Sequence, residues 1–286
     1  MSKKIKVVRT VKDLRKQIDK WREADKSIAL VPTMGALHDG HLSLVKLAHK
    51  IAGRVVVSIF VNPTQFGPNE DLARYPRDEA GDLAKLEMVD ANLVWAPSAA
   101  EMYGRGFATR IVPEGAALGL EGDVRPHHFG GVATVCCKLF SQVTPDVAIF
   151  GQKDYQQLCV LRQMVRDLNL PLELIGAPTK RETDGLALSS RNAYLSPEER
   201  RIAPALHKAI SELAEAVADG ADIAAALAGA KARVLAAGFK KIDYIEVRDA
   251  ETLSPPTTTT AAKDQTLRVL AAAYLGKTRL IDNVEV

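Results

Sequence analysis

Apolar residues follow two rhythms along this chain. Short unbroken runs read as strands covered on both faces: Ile28-Ala-Leu-Val31, Arg54-Val-Val-Val-Ser-Ile-Phe-Val61, Asn92-Leu-Val-Trp-Ala96 and Asp146-Val-Ala-Ile-Phe150. Lys6-Val-Val-Arg9 and Leu172-Glu-Leu-Ile175 are shorter candidates. Between these runs the apolar spacing is helical. Val11, Leu14, Ile18 and Trp21 mark one face; Leu42, Leu44, Val45, Leu47 and Ala48 repeat to about residue 49; Val132, Val135, Cys136, Leu139 and Phe140 mark a third. Further helices are expected from Asp78 to Met88 and from Leu158 to Leu168. Strand and helix alternate, so the fold class is α/β, a parallel sheet flanked by helices.

The pattern changes after residue 177. Pro178-Thr-Lys-Arg-Glu-Thr-Asp-Gly185 is polar and rich in turn formers, which divides the chain into domains 1–177 and 178–286. Ser196-Pro-Glu-Glu is a helix start, with Ser as cap, Pro first and Glu third. Two alanine-rich helices follow to about Ala237, broken near Gly220. Ile242–Val247 alternates like a half-buried strand, and Leu267–Tyr274 and Thr278–Asp282 complete a small antiparallel sheet. The second domain is therefore a smaller α+β unit. In the first, residues 98–125 form a long loop expected to hold one strand at Phe107–Val112, and Thr10 with Asp13 is expected to cap the first helix.

Composition narrows the class. The 286 residues are 47% hydrophobic and 26% charged, as in ordinary globular proteins. A net charge of +3, from 38 basic and 35 acidic residues, argues against a nucleic-acid or membrane-surface partner. No apolar run is long enough to span a bilayer, and Met-Ser-Lys-Lys-Ile-Lys at the start lacks the apolar core of a signal peptide. Three cysteines, Cys136, Cys137 and Cys159, form no framework, so reduced thiols and a cytoplasmic location are expected.

The candidate chemistry sits where strands end. Ile28–Val31 runs into Pro32-Thr-Met-Gly-Ala-Leu-His-Asp-Gly-His41 and then a helix. A glycine-containing strand-to-helix turn aims free backbone N–H groups and the helix dipole at one point, which suits a phosphate. His38 and His41 add donors that titrate near neutral pH. On residue types alone the turn is also readable as a metal pair, which lacks a third ligand nearby, or as a polar helix start. Asn62-Pro-Thr-Gln-Phe-Gly67 follows the second strand, and Asn62 and Gln65 suit a small hydroxylated or carboxylated substrate. Gly151-Gln-Lys-Asp154 repeats the strand-to-helix placement with a lysine, and Gln157 lies one turn further on. Leu188-Ser-Ser-Arg191 offers hydroxyls and a guanidinium in a boundary loop, suited to phosphate and to a mobile flap.

His38-Asp-Gly-His41 after a strand resembles the HxGH signature of the nucleotidyltransferase superfamily. The longer string from Pro32, with Asn62-Pro-Thr-Gln-Phe-Gly, Gly151-Gln-Lys-Asp-Tyr-Gln-Gln157, Ser189-Ser-Arg-Asn192 and Thr278-Arg-Leu-Ile-Asp-Asn283, is similar in order to the pantothenate synthetase family over nearly the whole chain. The resemblance implies a Rossmann-like first domain, a C-terminal lid and a homodimer. It implies an ATP-dependent ligase that condenses pantoate with β-alanine through a pantoyl adenylate and releases AMP and pyrophosphate, with Mg2+ accompanying ATP. Met34, Gly35, Ala36, Leu37, His38, Asp39, Gly40 and His41 would line the ATP site with Gly151, Gln152, Lys153 and Asp154. Lys180, Leu188, Ser189, Ser190 and Arg191 would complete it. Gln65 and Gln157, with Asn62 and His128, would hold pantoate, and Gln65 would also touch β-alanine. His41, as proton donor, joins His38, Lys153, Ser189 and Arg191 as the catalytic set. Asp82 would reach the metal through water. Two positions depart from the family pattern, Asp39 in place of a common Glu and His127 in place of a common glycine. The alternative is another HxGH nucleotidyltransferase acting on a small acceptor.

Overall fold

Strands β1 (Val7–Val8), β2 (Ile28–Thr33), β3 (Arg54–Ile59), β4 (Leu93–Trp95), β5 (Val147–Gly151) and β6 (Glu173–Ala177) form one parallel sheet in the order β1-β4-β3-β2-β5-β6. The structure is a computed structural model describing residues 4–68, 70–261 and 265–286; residues 1–3 of the lysine-rich start lie outside them. Helices α1 (Val11–Arg22), α2 (Asp39–Ile51), α3 (Glu79–Met88), α4 (Ala99–Met102), α5 (Glu121–Val124), α6 (His128–Val143) and α7 (Tyr155–Asp167) connect and cover the strands.

The unbroken apolar runs are explained by two-sided burial. Ile28 and Leu30 of β2 join the core made with α1, α6 and α7, while Ala29 and Val31 join the core made with α2 and α3. Cys136 and Cys159 belong to the first of these cores, as small apolar residues do, and burial raises both thiol pKa values. From β2 the chain builds outward through β3 and β4, then returns to add β5 on the other side of β2. The strand order therefore reverses between β2 and β5, and the crevice beyond their carboxyl ends is where an open α/β sheet takes a ligand.

After β6 come α8 (Pro197–Ile202), α9 (Pro204–Ala218) and α10 (Ile223–Ala236), then β7 (Lys241–Asp249), β8 (Leu267–Leu275) and β9 (Thr278–Glu285), antiparallel in sequence order. Ser196 and Glu199 form the reciprocal cap expected at α8. Gly276, at φ +58°, opens the two-residue turn between β8 and β9. β8 is buried on both faces. Val269, Ala271 and Ala273 pack with α9 and α10, while Leu270 and Ala272 belong to the same core as α6 and α7.

Three expectations change. Residues 107–112 form no strand, since they find no neighbouring strand to pair with; Phe107 N instead donates to Gly104 O in a turn, and Ile111 N to Thr134 Oγ1. The 98–125 loop instead holds α4 and α5. α6 starts at His128, ahead of its apolar face. At Thr10 the side chain accepts from Asp13 N as expected, but Asp13 returns its carboxylate to the Thr10 hydroxyl, not to the backbone.

Candidate active site

The turn after β2 is shaped from below. Gly35 and Ala36 both have positive φ, +81° and +49°, which for alanine is a strained conformation. Two side chains of α3 hold it. Asp82 Oδ2 accepts from Ala36 N at 2.9 Å and Oδ1 from Leu37 N at 2.7 Å, and Lys85 Nζ donates to Leu37 O at 2.7 Å. Asp82 is 1% exposed with both oxygens engaged, so it braces the turn and does not face the cleft as the resemblance implies for a metal contact. Among the described residues no group of three His, Cys, Asp or Glu side chains converges to hold an ion. The residues present thus do not fit a protein cage for magnesium. Asp82→Ala would leave two N–H groups unpaired; we expect it to cost about 2–3 kcal/mol of stability in urea unfolding, and a change near zero would refute the brace.

The histidines cap α2. His38 Nδ1 accepts from Gly40 N at 3.2 Å, and His41 Nδ1 accepts from His38 N at 3.3 Å. Because both Nδ1 atoms accept, both rings carry their proton on Nε2. The rings lie 4.1 Å apart and line the cleft. Burial, with Lys153 nearby, lowers His38 to about 4; burial, with His38 and Lys153 nearby, lowers His41 to about 3. They are therefore neutral hydrogen-bond donors at pH 7, not imidazolium acids. Gly40 is required beside them, since a Cβ there would meet the His38 ring at 2.8 Å. The metal-pair reading fails, because on both rings Nδ1 accepts from the backbone and Nε2 carries the proton, which leaves neither ring a free lone pair.

These shifts predict a pH dependence of stability. A histidine lowered from 6.5 to about 3 or 4 in the fold takes up its proton first in the unfolded chain. Its stabilising contribution is complete above pH 6.5 and is lost as the pH falls toward 3–4. His128, lowered to about 4 mainly by burial, adds in the same window. The urea midpoint should fall steadily from pH 7 to pH 4; a flat profile would refute the neutral histidines.

The wall beyond β3 orders one amide. Asn62 is 1% exposed and fully used: Nδ2 donates to Gln65 Oε1 and Gly131 O, and Oδ1 accepts from Thr64 and the Tyr103 hydroxyl. It lines the cleft with its carboxamide engaged by these partners, and through Nδ2 it holds the Gln65 amide in place. With Oε1 occupied by Asn62, Gln65 has its Nε2 to offer, now resting on Met34 Sδ at 3.1 Å. His128 Nδ1 donates to Gln65 O at 3.1 Å, which leaves Nε2 as an acceptor. Arg125 Nη2 also donates to Gln65 O, while its other nitrogens bond Glu70 and Glu121. His127 lies at φ −92°, open to any residue, so the departure from glycine costs nothing. Gly131 is needed instead: a Cβ there would sit 2.4 Å from Thr64 O.

The turn after β5 supplies the facing charge. Lys153 lies in a single 3-10 turn, Gln152–Asp154, and lines the cleft with Gly151, Asp154 and Gln157. Across from it, Lys180 and Leu188 pair through Leu188 N and Lys180 O, carrying Ser189, Ser190 and Arg191 to the rim. Arg191 makes a bidentate pair with Asp71, both bonds at 3.0 Å. The cleft these walls enclose measures about 730 Å³. Met34, His38, Gly40 and His41 line it, whereas Gly35, Ala36, Leu37, Asp39 and Gln152 lie outside its lining and shape the turns. Sequence reasoning missed Lys85, Arg125 and Glu121; only Lys85, three residues after Asp82 on one helix, carried a local signal.

The pantoate–β-alanine ligase family model matches residues 6–285. The pantothenate synthetase of Paramagnetospirillum magneticum is 55% identical over 286 residues, covering 100% of this chain and 99% of its own. The crystal structure of pantothenate synthetase from Thermus thermophilus matches with a TM-score of 0.91 at 47% identity, covering 98% of this chain and 99% of that one. A pantoate–β-alanine ligase from Francisella tularensis, complexed with β-γ ATP and β-alanine, matches with a TM-score of 0.81 at 33% identity, covering 98% and 97%.

Proposed function

The chain belongs to the pantoate–β-alanine ligase family, and from that premise we propose which residues of the cleft carry the reaction. The enzyme condenses pantoate with β-alanine at the expense of ATP, through an acyl adenylate. The chemistry demands activation, because an amine and a carboxylate at neutral pH form a salt. A pantoate carboxylate oxygen bonds to the α-phosphorus of ATP and the bond to pyrophosphate breaks. The amine of β-alanine then bonds to the acyl carbon, AMP leaves with the electron pair of the broken C–O bond, and the amine proton goes to solvent.

The observation that carries the assignment is the convergence of two strand-to-helix turns, after β2 and after β5, on the switch point of the sheet. His38 and His41 donate from Nε2 to phosphate oxygens, Lys153 neutralises developing charge, and Ser189, Ser190 and Arg191 close on the phosphates from the opposite side. Arg191 reaches them by exchanging Asp71 for phosphate. Gln65 and Gln157 orient pantoate, His128 accepts a hydrogen bond from a substrate hydroxyl or amine through Nε2, and Gln65 also meets β-alanine. Magnesium belongs to the ATP phosphates and not to a protein cage. Residues 1–177 form the nucleotide and pantoate domain and 178–286 the lid, and the chain works as a cytoplasmic homodimer. The near-neutral charge supports small-molecule substrates over nucleic acid, and no helix among the described residues is long and apolar enough to cross a membrane.

The test omits each of ATP, pantoate and β-alanine in turn. Pyrophosphate should require ATP and pantoate, and AMP with pantothenate should require all three. Pyrophosphate released without pantoate would overturn the reading.

A further inference from the structure

The segment Thr278–Asn283 resembles a family motif yet lines no step of the reaction described above. Its last residue, Asn283, lies on β9, 4% exposed, and reaches across to the turn that carries Lys153. Asn283 Nδ2 donates to Gln152 O and to Lys153 O, both at 2.9 Å. Its amide oxygen accepts from Arg268 Nη1 at 2.6 Å, so the amide cannot flip. Arg268 is itself buried, and its guanidinium lies 3.9 Å from the centre of the Tyr155 ring, at the first position of α7. Next to Asn283, Asp282 is held by a bidentate Arg181, which also donates to Asn283 O.

We propose that Asn283 is a positioning residue for the reaction: it clamps the two carbonyls of the Gln152–Lys153 turn and thereby fixes where the Lys153 ammonium stands against the transferred phosphate. The inference rests on the assignment of Lys153 given above. The geometry calls for a carboxamide. One neutral nitrogen must give two donors to adjacent carbonyls while the opposite oxygen takes a guanidinium N–H. A Lys153 turn only three residues long, between a strand and a helix, has no register of its own to hold its side chain. A lysine free to wander by an ångström loses transition-state contact out of proportion to the displacement.

The experiment is a double-mutant cycle on single-turnover pyrophosphate release from ATP and pantoate. Asn283→Ala should slow release by about 10–100-fold in the parent protein. In a Lys153→Met background the same change should alter the residual rate by less than about threefold, because the group it positions is gone. Asn283→Asp keeps the volume and the contact with Arg268 but loses both donors, and it takes the place of the alanine variant if that one does not fold. Equal losses in both backgrounds, or no loss in the parent, would overturn the inference while leaving Lys153 in place. Lys153→Met turning over at the parent rate would overturn the assignment of Lys153 and the inference with it.

Discussion

Replacing His41 by alanine should slow pyrophosphate release by about 10²–10³-fold, the usual cost of deleting one donor aimed at developing charge. The ring does two separable jobs. Nδ1 takes the His38 N–H and closes the cap of α2, and Nε2 carries the only proton the neutral ring can give to the cleft. His41→Asn should keep an acceptor near the Nδ1 position, hold the cap, and still lose the rate. His41→Gln should keep a donor near the Nε2 position and recover part of it. Rapid-quench pyrophosphate measurements with thermal melts on the three variants distinguish the jobs. An alanine variant that folds and turns over normally would remove His41 from the mechanism.

Glu121→Ala should destabilise the protein by about 3 kcal/mol, because it removes the buried carboxylate shared by two half-buried cations, leaving Arg125 with Glu70 alone and Arg279 with Asp243 alone. Glu121, on α5 and 7% exposed, accepts from Arg125 Nη1, from Arg279 Nη1 and Nη2, and from the Tyr244 hydroxyl. Arg279 continues to Asp243, which also takes Lys241. The carboxylate is held down at about 2 despite its burial, with Arg279 the largest opposing influence. A group depressed from 4.5 to about 2 contributes stability that is complete above pH 4.5 and lost as the pH falls toward 2. The alanine variant should therefore lose the parent's acid sensitivity in that lower window. Arg125 also bonds Gln65 O, so pantoate binding should weaken in the same variant. Urea unfolding at pH 7 and pH 3.5 checks both statements, and an unfolding free energy within about 1 kcal/mol of the parent would refute the network.

What could be read from the sequence was local. Ile28–Val31 and Val55–Val57 announce central parallel strands because burial on both faces removes every polar position. Ser196 and Glu199 announce a helix start because both partners of the cap lie within four residues. His38, His41 and Lys153 stand out because each sits where a strand passes into a helix. What could not be read was set by distance. Glu121 meets Arg279 across 158 residues, and Asn283 meets Gln152 across 131, with no periodicity to betray either pair. Residue type points Asn62 toward substrate and the resemblance points Asp82 toward the metal, but neither signal carries the hydrogen bonds that a buried amide and a buried carboxylate must first satisfy, which here go to the backbone and Gln65. Phe107–Val112 has the composition of a strand, yet an isolated strand without a ladder gains nothing from being extended.

The two-sided burial of β8 also bears on how the chain is made. Leu270 and Ala272 complete the core that α1, α6 and α7 begin, so that core stays open while the ribosome is still translating the segment before β8. A nascent chain ending near residue 177 shows apolar surface that its finished form conceals. Chaperone contact should peak over that interval of synthesis and end once β8 and β9 have emerged.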